Sequence, residues 1–323
     1  MNQKGLPQKK TLLITGATGF VGRHLVKQLI ESQAYTVRTL TREKTVLEQP
    51  HLAPIYTDDI TQYSDWSAGL TGCDVVIHLA ARVHVMREYL DDPLSEYRKI
   101  NVTATLNLAR QAAQQGVKRF IFVSSIGVNG KETQQGLSYK PDDIPRPQEA
   151  YSQSKWEAEQ ALAALCQETG MALVILRPPI IYGPGVKGNF KSMMSCLKKG
   201  IPLPLKSVEN QRSLVSVYNV VDLIIHCINH PRAVNQTFLV SDGQDVSIGE
   251  LLKKLAQAMD QSARLFPVPE RLLMKLGYLL GQQVVVQRLC GSLQVDITKT
   301  RELLDWKPVV SMDEALRRTV EDA

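Results

Sequence analysis

No run of five or more basic residues occurs in this 323-residue chain, and its net charge of +6 comes from Lys and Arg scattered along its length. That distribution argues against a nucleic-acid partner. No CxxC pair occurs either: the five cysteines (Cys73, Cys166, Cys196, Cys227 and Cys290) stand far apart. An odd number without ligand spacing reads as reduced thiols in a cytoplasmic protein, buried as small apolar residues, with no metal site. The opening "MNQKGLPQKK" has no apolar core and so is not a secretory signal. Internal repeats and low-complexity tracts are missing too. The most apolar late stretch, "LLMKLGYLLGQQVVV" (272–286), is interrupted by Lys275 and the pair Gln282–Gln283 and is too short to span a bilayer. It reads as cover for the protein's own core or a subunit contact, with the face of a membrane as the alternative.

The chain does hold a globular composition, 44% hydrophobic and 22% charged, with enough length for one large α/β domain and a smaller lobe. Apolar runs at "TLLIT" (11–15), "TVRTLT" (36–41), "APIYT" (53–57), "DVVIHLA" (74–80), "KRFIFVSS" (118–125) and "ALVILRP" (172–178) alternate with helical patterns. In "VTATLNLARQAAQQ" the spacing puts Val102, Leu106, Ala109 and Ala113 on one helix face, and Gly116 stops the helix. Unbroken apolar strands linked by helices predict a doubly wound parallel sheet. The crowding of Pro178, Pro179, Gly183, Pro184 and Gly185 marks a lobe boundary. The expected division is a large doubly wound domain over 1–178, with segments near 214–240 returning to it, and a smaller mixed lobe over 179–323.

The first strand runs into Gly16, Gly19 and Gly22, and a helix follows at once. The first glycine permits a tight turn, the second lets backbone N–H groups approach a pyrophosphate, and the third lets helix and strand pack closely. No Lys-Ser/Thr follows Gly22, so the phosphate loop of nucleoside triphosphatases is excluded. The second strand ends "TLTRE", where a carboxylate would hold the ribose 2′-OH of NAD and an arginine would suit the 2′-phosphate of NADP. Arg42 at that place leans towards NADP; Glu43, one residue later, keeps NAD open. Farther on, "YSQSK" sets Tyr151 and Lys155 four apart on one helix face, and "VSSIGVNG" ends a strand with Ser124 and Ser125. A phenol of pKa about 10 becomes a usable acid–base when an ammonium and a cationic ring stand beside it, and a serine can hold the substrate oxygen.

These features, with "TGATGFVG", "DDIT" (58–61), "HLAA" (78–81), "IN" (100–101), "LRPPIIYGPG", "RSLVSVYNVVDLI" (212–224) and "LQVDITKTRELLDWKP" (293–308), run in order along nearly the whole chain. The pattern resembles the extended short-chain dehydrogenase/reductase family, the NAD(P)-dependent nucleotide-sugar epimerases, dehydratases and reductases. The resemblance implies a Rossmann-type doubly wound sheet with a smaller mixed C-terminal substrate lobe. It implies Tyr151 as acid–base, Lys155 on the cofactor ribose and tuning Tyr151, and Ser125 at the substrate hydroxyl. The cofactor pocket would comprise Gly16, Gly19, Phe20, Val21, Gly22, Arg42, Asp59, Ile60, Leu79, Ala80, Ala81, Asn101, Ser124 and Pro178. Asn101 stands between helix N-capping and a role in placing a catalytic water. Asn189, Arg212 and Arg288 would grip the diphosphate of a UDP-linked hexose or N-acetylhexosamine, and a homodimer is implied. His78 and His84 read as structural.

Two departures matter. Dehydratases of the family carry Asp-Glu where this chain has Ile126 and Gly127, and many 4-epimerases read "VYG" where it has Asn129 in "VNG". The fuller string is similar to the bacterial surface-polysaccharide enzymes that reduce UDP-4-keto-6-deoxy-N-acetylhexosamine, so C4 reduction is the leading expectation. A 4-epimerase of UDP-glucose or UDP-N-acetylglucosamine with retained NAD is the alternative. A non-catalytic dinucleotide sensor is the remaining one, and intact Ser125, Tyr151 and Lys155 weigh against it.

Overall fold

The apolar runs become strands where their residues can be buried on both faces of a sheet. In the computed structural model, residues 9–41, 52–56, 60–61, 63–83, 92–134 and 136–322 are described. The strands among them are β1 (Thr11–Thr15), β2 (Thr36–Thr41), β3 (Leu52–Tyr56), β4 (Val75–His78), β5 (Arg119–Val123), β6 (Ala172–Arg177), β7 (Ile180–Tyr182), β8 (Arg212–Ser216), β9 (Gln236–Leu239) and β10 (Asp245–Val246). Seven form one sheet in the order β3-β2-β1-β4-β5-β6-β9. The pairs from β3 across to β6 are parallel, with Leu12 opposite both Val37 and Val75. The order reverses between β1 and β4, and in such sheets ligands bind at the carboxyl ends of the strands beside that switch.

Two compact units divide the chain. The first comprises Met1–Val128, Ile144–Arg177 and Val221–Phe238; the second comprises Asn129–Asp143, Pro178–Val220 and Leu239–Ala323. Two segments depart from the expected division: 129–143 belongs to the second unit, and β8, within the stretch expected to return, stays there in a three-stranded sheet of order β10-β8-β7. The second unit's core gathers Tyr182, Phe190, Leu214, Leu251, Leu255 and Leu316.

Helix Phe20–Ser32 buries Gly22, Leu25, Val26 and Leu29 at helical spacing. After Pro93–Arg98 the backbone widens into a π-helical turn over Lys99–Ala104 before the α-helix Thr105–Gln114. The buried face of that helix runs through Thr105, Leu108, Ala109 and Ala112, with Val102, Leu106 and Ala113 packed against the core at its edge. Helix Ala150–Thr169 ends at Gly170, in the left-handed region at φ 72°. Its buried face is unusually polar, with Ser152, Ser154, Lys155 and Glu159 alongside Ala158, Leu162 and Cys166. Buried charge is costly and must be matched by partners.

Candidate active site

At the carboxyl end of β1 the backbone turns at Gly16, with φ +73°. A Cβ there would sit 2.7 Å from the Ala80 nitrogen, and one on Gly22 would sit 2.1 Å from the Gly16 oxygen, so both positions admit only glycine. Leu79 and Ala80 are tied to the same loop, their N–H groups donating to the Thr15 carbonyl (3.2 Å) and the Thr15 hydroxyl (3.3 Å). Ala81, Phe20 and Val21 are half-buried around it, and Ile60 packs on the core of the first unit. Gly19 is the N-cap of helix Phe20–Ser32 and brings no side chain to its first-turn N–H groups. A helix start without a side-chain cap suits a pyrophosphate. Ser124, at the end of β5, has a buried hydroxyl without a hydrogen-bond partner. The cradle and this orphaned hydroxyl fit a dinucleotide.

Asn101 lies inside the π-helical turn, so N-capping is excluded. Its Oδ1 accepts from the Arg82 N–H (2.8 Å) while its Nδ2 donates to the Arg82 carbonyl and to Ser154 Oγ, both at 3.0 Å. Ser154 in turn donates to the Tyr151 carbonyl at 2.7 Å. One buried amide thus fastens the loop after β4 to the helix turn that carries Tyr151. π-turns of this kind cluster at functional sites. The Tyr151 ring meets Tyr97 nearly edge to face, with centroids 6.0 Å apart, and Arg82 lies over the Tyr97 ring. Burial, and secondarily Tyr97, push the Tyr151 phenol up to about 12.

Ser125 follows β5 and accepts from the Gly127 N–H at 3.1 Å, which leaves its own proton to donate. A Cβ on Gly127 would lie 2.4 Å from Ser152 Oγ and 3.4 Å from Ser125 Oγ. The bare glycine therefore lets the turn Ile126–Val128 close onto the helix of Tyr151, with both hydroxyls converging on that point. Ile126 is buried.

Lys155 is fully buried, its ammonium 3.9 Å from the centroid of the Phe122 ring. Burial pulls its pKa down to about 7, against the upward pull of Glu159 one helical turn on. Glu159 is held by Arg177 in a buried two-pronged pair, Nε to Oε1 at 3.0 Å and Nη2 to Oε2 at 2.5 Å. His78 bonds Thr15 through Nδ1 (2.7 Å) and Thr105 through Nε2 (2.9 Å). Burial, helped by the charge of Lys155, depresses its pKa to about 3, so it is neutral and structural, as expected. Sequence reading missed Phe122, Tyr97, Glu159 and Arg177. Only Glu159 left a signal, its i+4 spacing from Lys155.

In the second unit, Asn189 opens helix Asn189–Lys198 and Pro178 is buried after β6. Arg212 Nη1 donates to the carbonyls of Arg288 and Gly291, at the end of helix Gln283–Cys290. The Arg288 side chain is exposed. Asn129 is buried and donates to the Lys140 carbonyl at 2.8 Å. Arg42, Asp59 and His84 lie outside the described residues. Among the described residues no cluster of His, Cys, Asp and Glu could hold a metal, and no helix is long and apolar enough to cross a membrane.

The switch-point sheet with its glycine cradle defines a dinucleotide-binding α/β enzyme. More narrowly, the chain belongs to the NAD dependent epimerase/dehydratase family, whose model matches residues 12–249. It is 47% identical to the UDP-glucose 4-epimerase of Vibrio cholerae over 313 residues, 97% of this chain and 95% of that protein. It is 28% identical over 306 residues to the N-acetyl-alpha-D-glucosaminyl-diphospho-ditrans,octacis-undecaprenol 4-epimerase of Escherichia coli O157:H7, covering 89% of this chain and 88% of that one. Its fold is similar to that of the UDP-glucuronic acid 4-epimerase of Bacillus cereus solved with NAD, with a TM-score of 0.79 at 20% identity over 97% of this chain and 96% of that chain.

Proposed function

We propose that the chain is a 4-epimerase of a UDP-linked hexose or N-acetylhexosamine that retains its NAD through the cycle. The observation that carries the reading is the convergence of Ser125 with the first turn of the Tyr151–Lys155 helix through Gly127. The 47% relative over nearly complete lengths supports the choice of reaction. It reverses the order in which the sequence alone ranked reduction and epimerisation.

Tyr151 takes the proton of the sugar C4 hydroxyl in the first half-reaction and returns it in the second. Ser125 donates to the same oxygen and holds it beside the phenol. When bound, NAD supplies the acceptor for the C4 hydrogen and a positive charge near the phenol. With burial holding Tyr151 at about 12, that charge and the Lys155 ammonium have to pull the phenol towards phenolate. Lys155, poised near 7, carries that charge in only part of the molecules at neutral pH, and Glu159 favours the charged form. Arg212, Asn189 and Arg288 are assigned to the UDP diphosphate. Elimination chemistry is disfavoured, since buried Ile126 and packed Gly127 leave no acid–base pair there. A cytoplasmic homodimer belongs to the same reading, and the five free cysteines fit that compartment.

Reduction of a UDP-4-keto-6-deoxy-N-acetylhexosamine with NADPH is the second reading, favoured by Arg42 and by the missing carboxylate in "TLTRE". Purified protein given UDP-glucose or UDP-N-acetylglucosamine without added cofactor separates the two. Interconversion at C4 is expected; silence there, with NADPH consumed on the 4-keto sugar, would overturn epimerisation.

A further inference from the structure

Helices Glu270–Leu279 and Gln283–Cys290 of the second unit pack on each other, with Gly277 seated directly against Val286. Leu273 and Gly277 face the interior, and Cys290 is buried. The outer face is apolar as well. Leu272, Leu276 and Leu279 follow one another at i, i+4 and i+7, all exposed, and Leu280 and Val285 extend the patch past the turn. Leu279 and Leu280 are 76% and 72% exposed, far more than a leucine covering its own core. The expectation that this stretch serves the core therefore holds for one face only.

A second stripe runs beside the leucines, one residue before each: Arg271, Lys275 and Tyr278, the last 71% exposed. Between Arg264 and Arg288 four basic residues stand against one acid, Glu270. Leucines flanked by cations on flexible stems, with a tyrosine at the edge, suit a layer that is apolar within and negatively charged at its rim. A second copy of the chain suits it poorly, because an isologous contact would bring the Arg271–Lys275 stripes of two copies together.

We propose that this face is a peripheral docking surface for an anionic lipid bilayer. Leu272, Leu276, Leu279 and Leu280 enter the acyl boundary, and Arg271 and Lys275 lie at the headgroup phosphates.

The test uses the full chain in co-sedimentation with phosphatidylcholine vesicles, with and without about 30 mol% phosphatidylglycerol, the anionic fraction providing the surface potential. Wild-type protein is expected to sediment with the anionic vesicles and to be released as salt is raised. Arg271→Gln with Lys275→Gln should weaken binding by roughly twenty-fivefold, about fivefold per charge. Leu276→Asp with Leu279→Asp should abolish it. Both variants should keep wild-type turnover of a soluble nucleotide sugar and an unchanged melting temperature, since the substituted side chains are exposed. Equal sedimentation with and without anionic lipid would overturn the proposal. So would a sedimentation-velocity result in which the leucine variant dissociates an oligomer, which would assign the face to a second copy, or capture of a defined protein partner by this face with no binding to vesicles.

Discussion

Replacing Lys155 by methionine should stabilise the cofactor-free protein, and do so far more at low pH than at high pH. The lysine is fully buried over Phe122, and its pKa falls from 10.5 in an exposed setting to about 7 in the fold. The unfolded chain therefore binds a proton between pH 7 and 10.5 that the folded chain does not, so this group's contribution to stability rises with pH through that window. Below pH 7 both states are protonated and the folded state bears the whole burden of the buried ammonium. The drop corresponds to a ceiling of about 5 kcal/mol at pH 6, shrinking to about 1 kcal/mol at pH 10. Water penetration and relaxation trim the first figure. The groups facing the ammonium are His78, already neutral, and Glu159, which keeps Arg177 as partner in the variant. At about 2–4 °C per kcal/mol, Lys155→Met should melt roughly 5–15 °C above wild type at pH 6 and only a few degrees above it at pH 10. Circular dichroism melts of both proteins across that range, after removal of bound nucleotide, measure the difference. A gap independent of pH, or a variant less stable than wild type at pH 6, would contradict a destabilising buried ammonium at Lys155.

Four further outcomes are expected. Tyr151→Phe should lower kcat by about a hundredfold or more while cofactor affinity, read by fluorescence titration, stays within about threefold, since only the proton-carrying oxygen is lost. Gly127→Ala should cut kcat at least about tenfold by forcing the Ser125 turn off the helix, and Ser152→Ala in the same chain should restore part of it, because Ser152 Oγ is the atom met at 2.4 Å. Arg177→Met should cost about 3–5 kcal/mol in chemical denaturation by stranding buried Glu159, and the pair Arg177→Met with Glu159→Leu should recover most of that. Arg212→Ala should raise KM for the nucleotide sugar with little effect on kcat, and an unchanged KM would contradict its assignment to the diphosphate.

Much of the first unit was legible because its strands are local signals. "TLLIT" and "TVRTLT" are β1 and β2 to the residue, and β4, β5 and β6 fall within the runs 74–80, 118–125 and 172–178. Such strands are apolar on both faces, so composition alone reveals them. The glycine spacing was legible for a related reason, as each glycine answers a contact inside a short stretch. What failed was non-local or broke periodicity. The π-turn at Lys99–Ala104 was not foreseen, because a 3.6-residue period has no place for its extra backbone. The tie from Asn101 to Arg82 and Ser154, and the seat of Lys155 on Phe122, join residues 19 to 53 apart in the chain. No local pattern encodes such pairs. Segment 129–143 joined the second unit through pairings such as Tyr139 with Val295, more than a hundred residues away.

On the proposed epimerase reading, one hydrogen leaves C4 of a UDP-sugar and returns to the same carbon from within the site, with Tyr151 handling the proton. The most direct measurement follows UDP-glucose deuterated at C4 through the purified enzyme, without added cofactor, by mass spectrometry and NMR. Deuterium retained at C4 of UDP-galactose, with the labelled product forming about a hundredfold or more slowly in Tyr151→Phe reactions, is the predicted result. Label lost from C4 to solvent, or no C4 inversion from the wild-type enzyme, would contradict it.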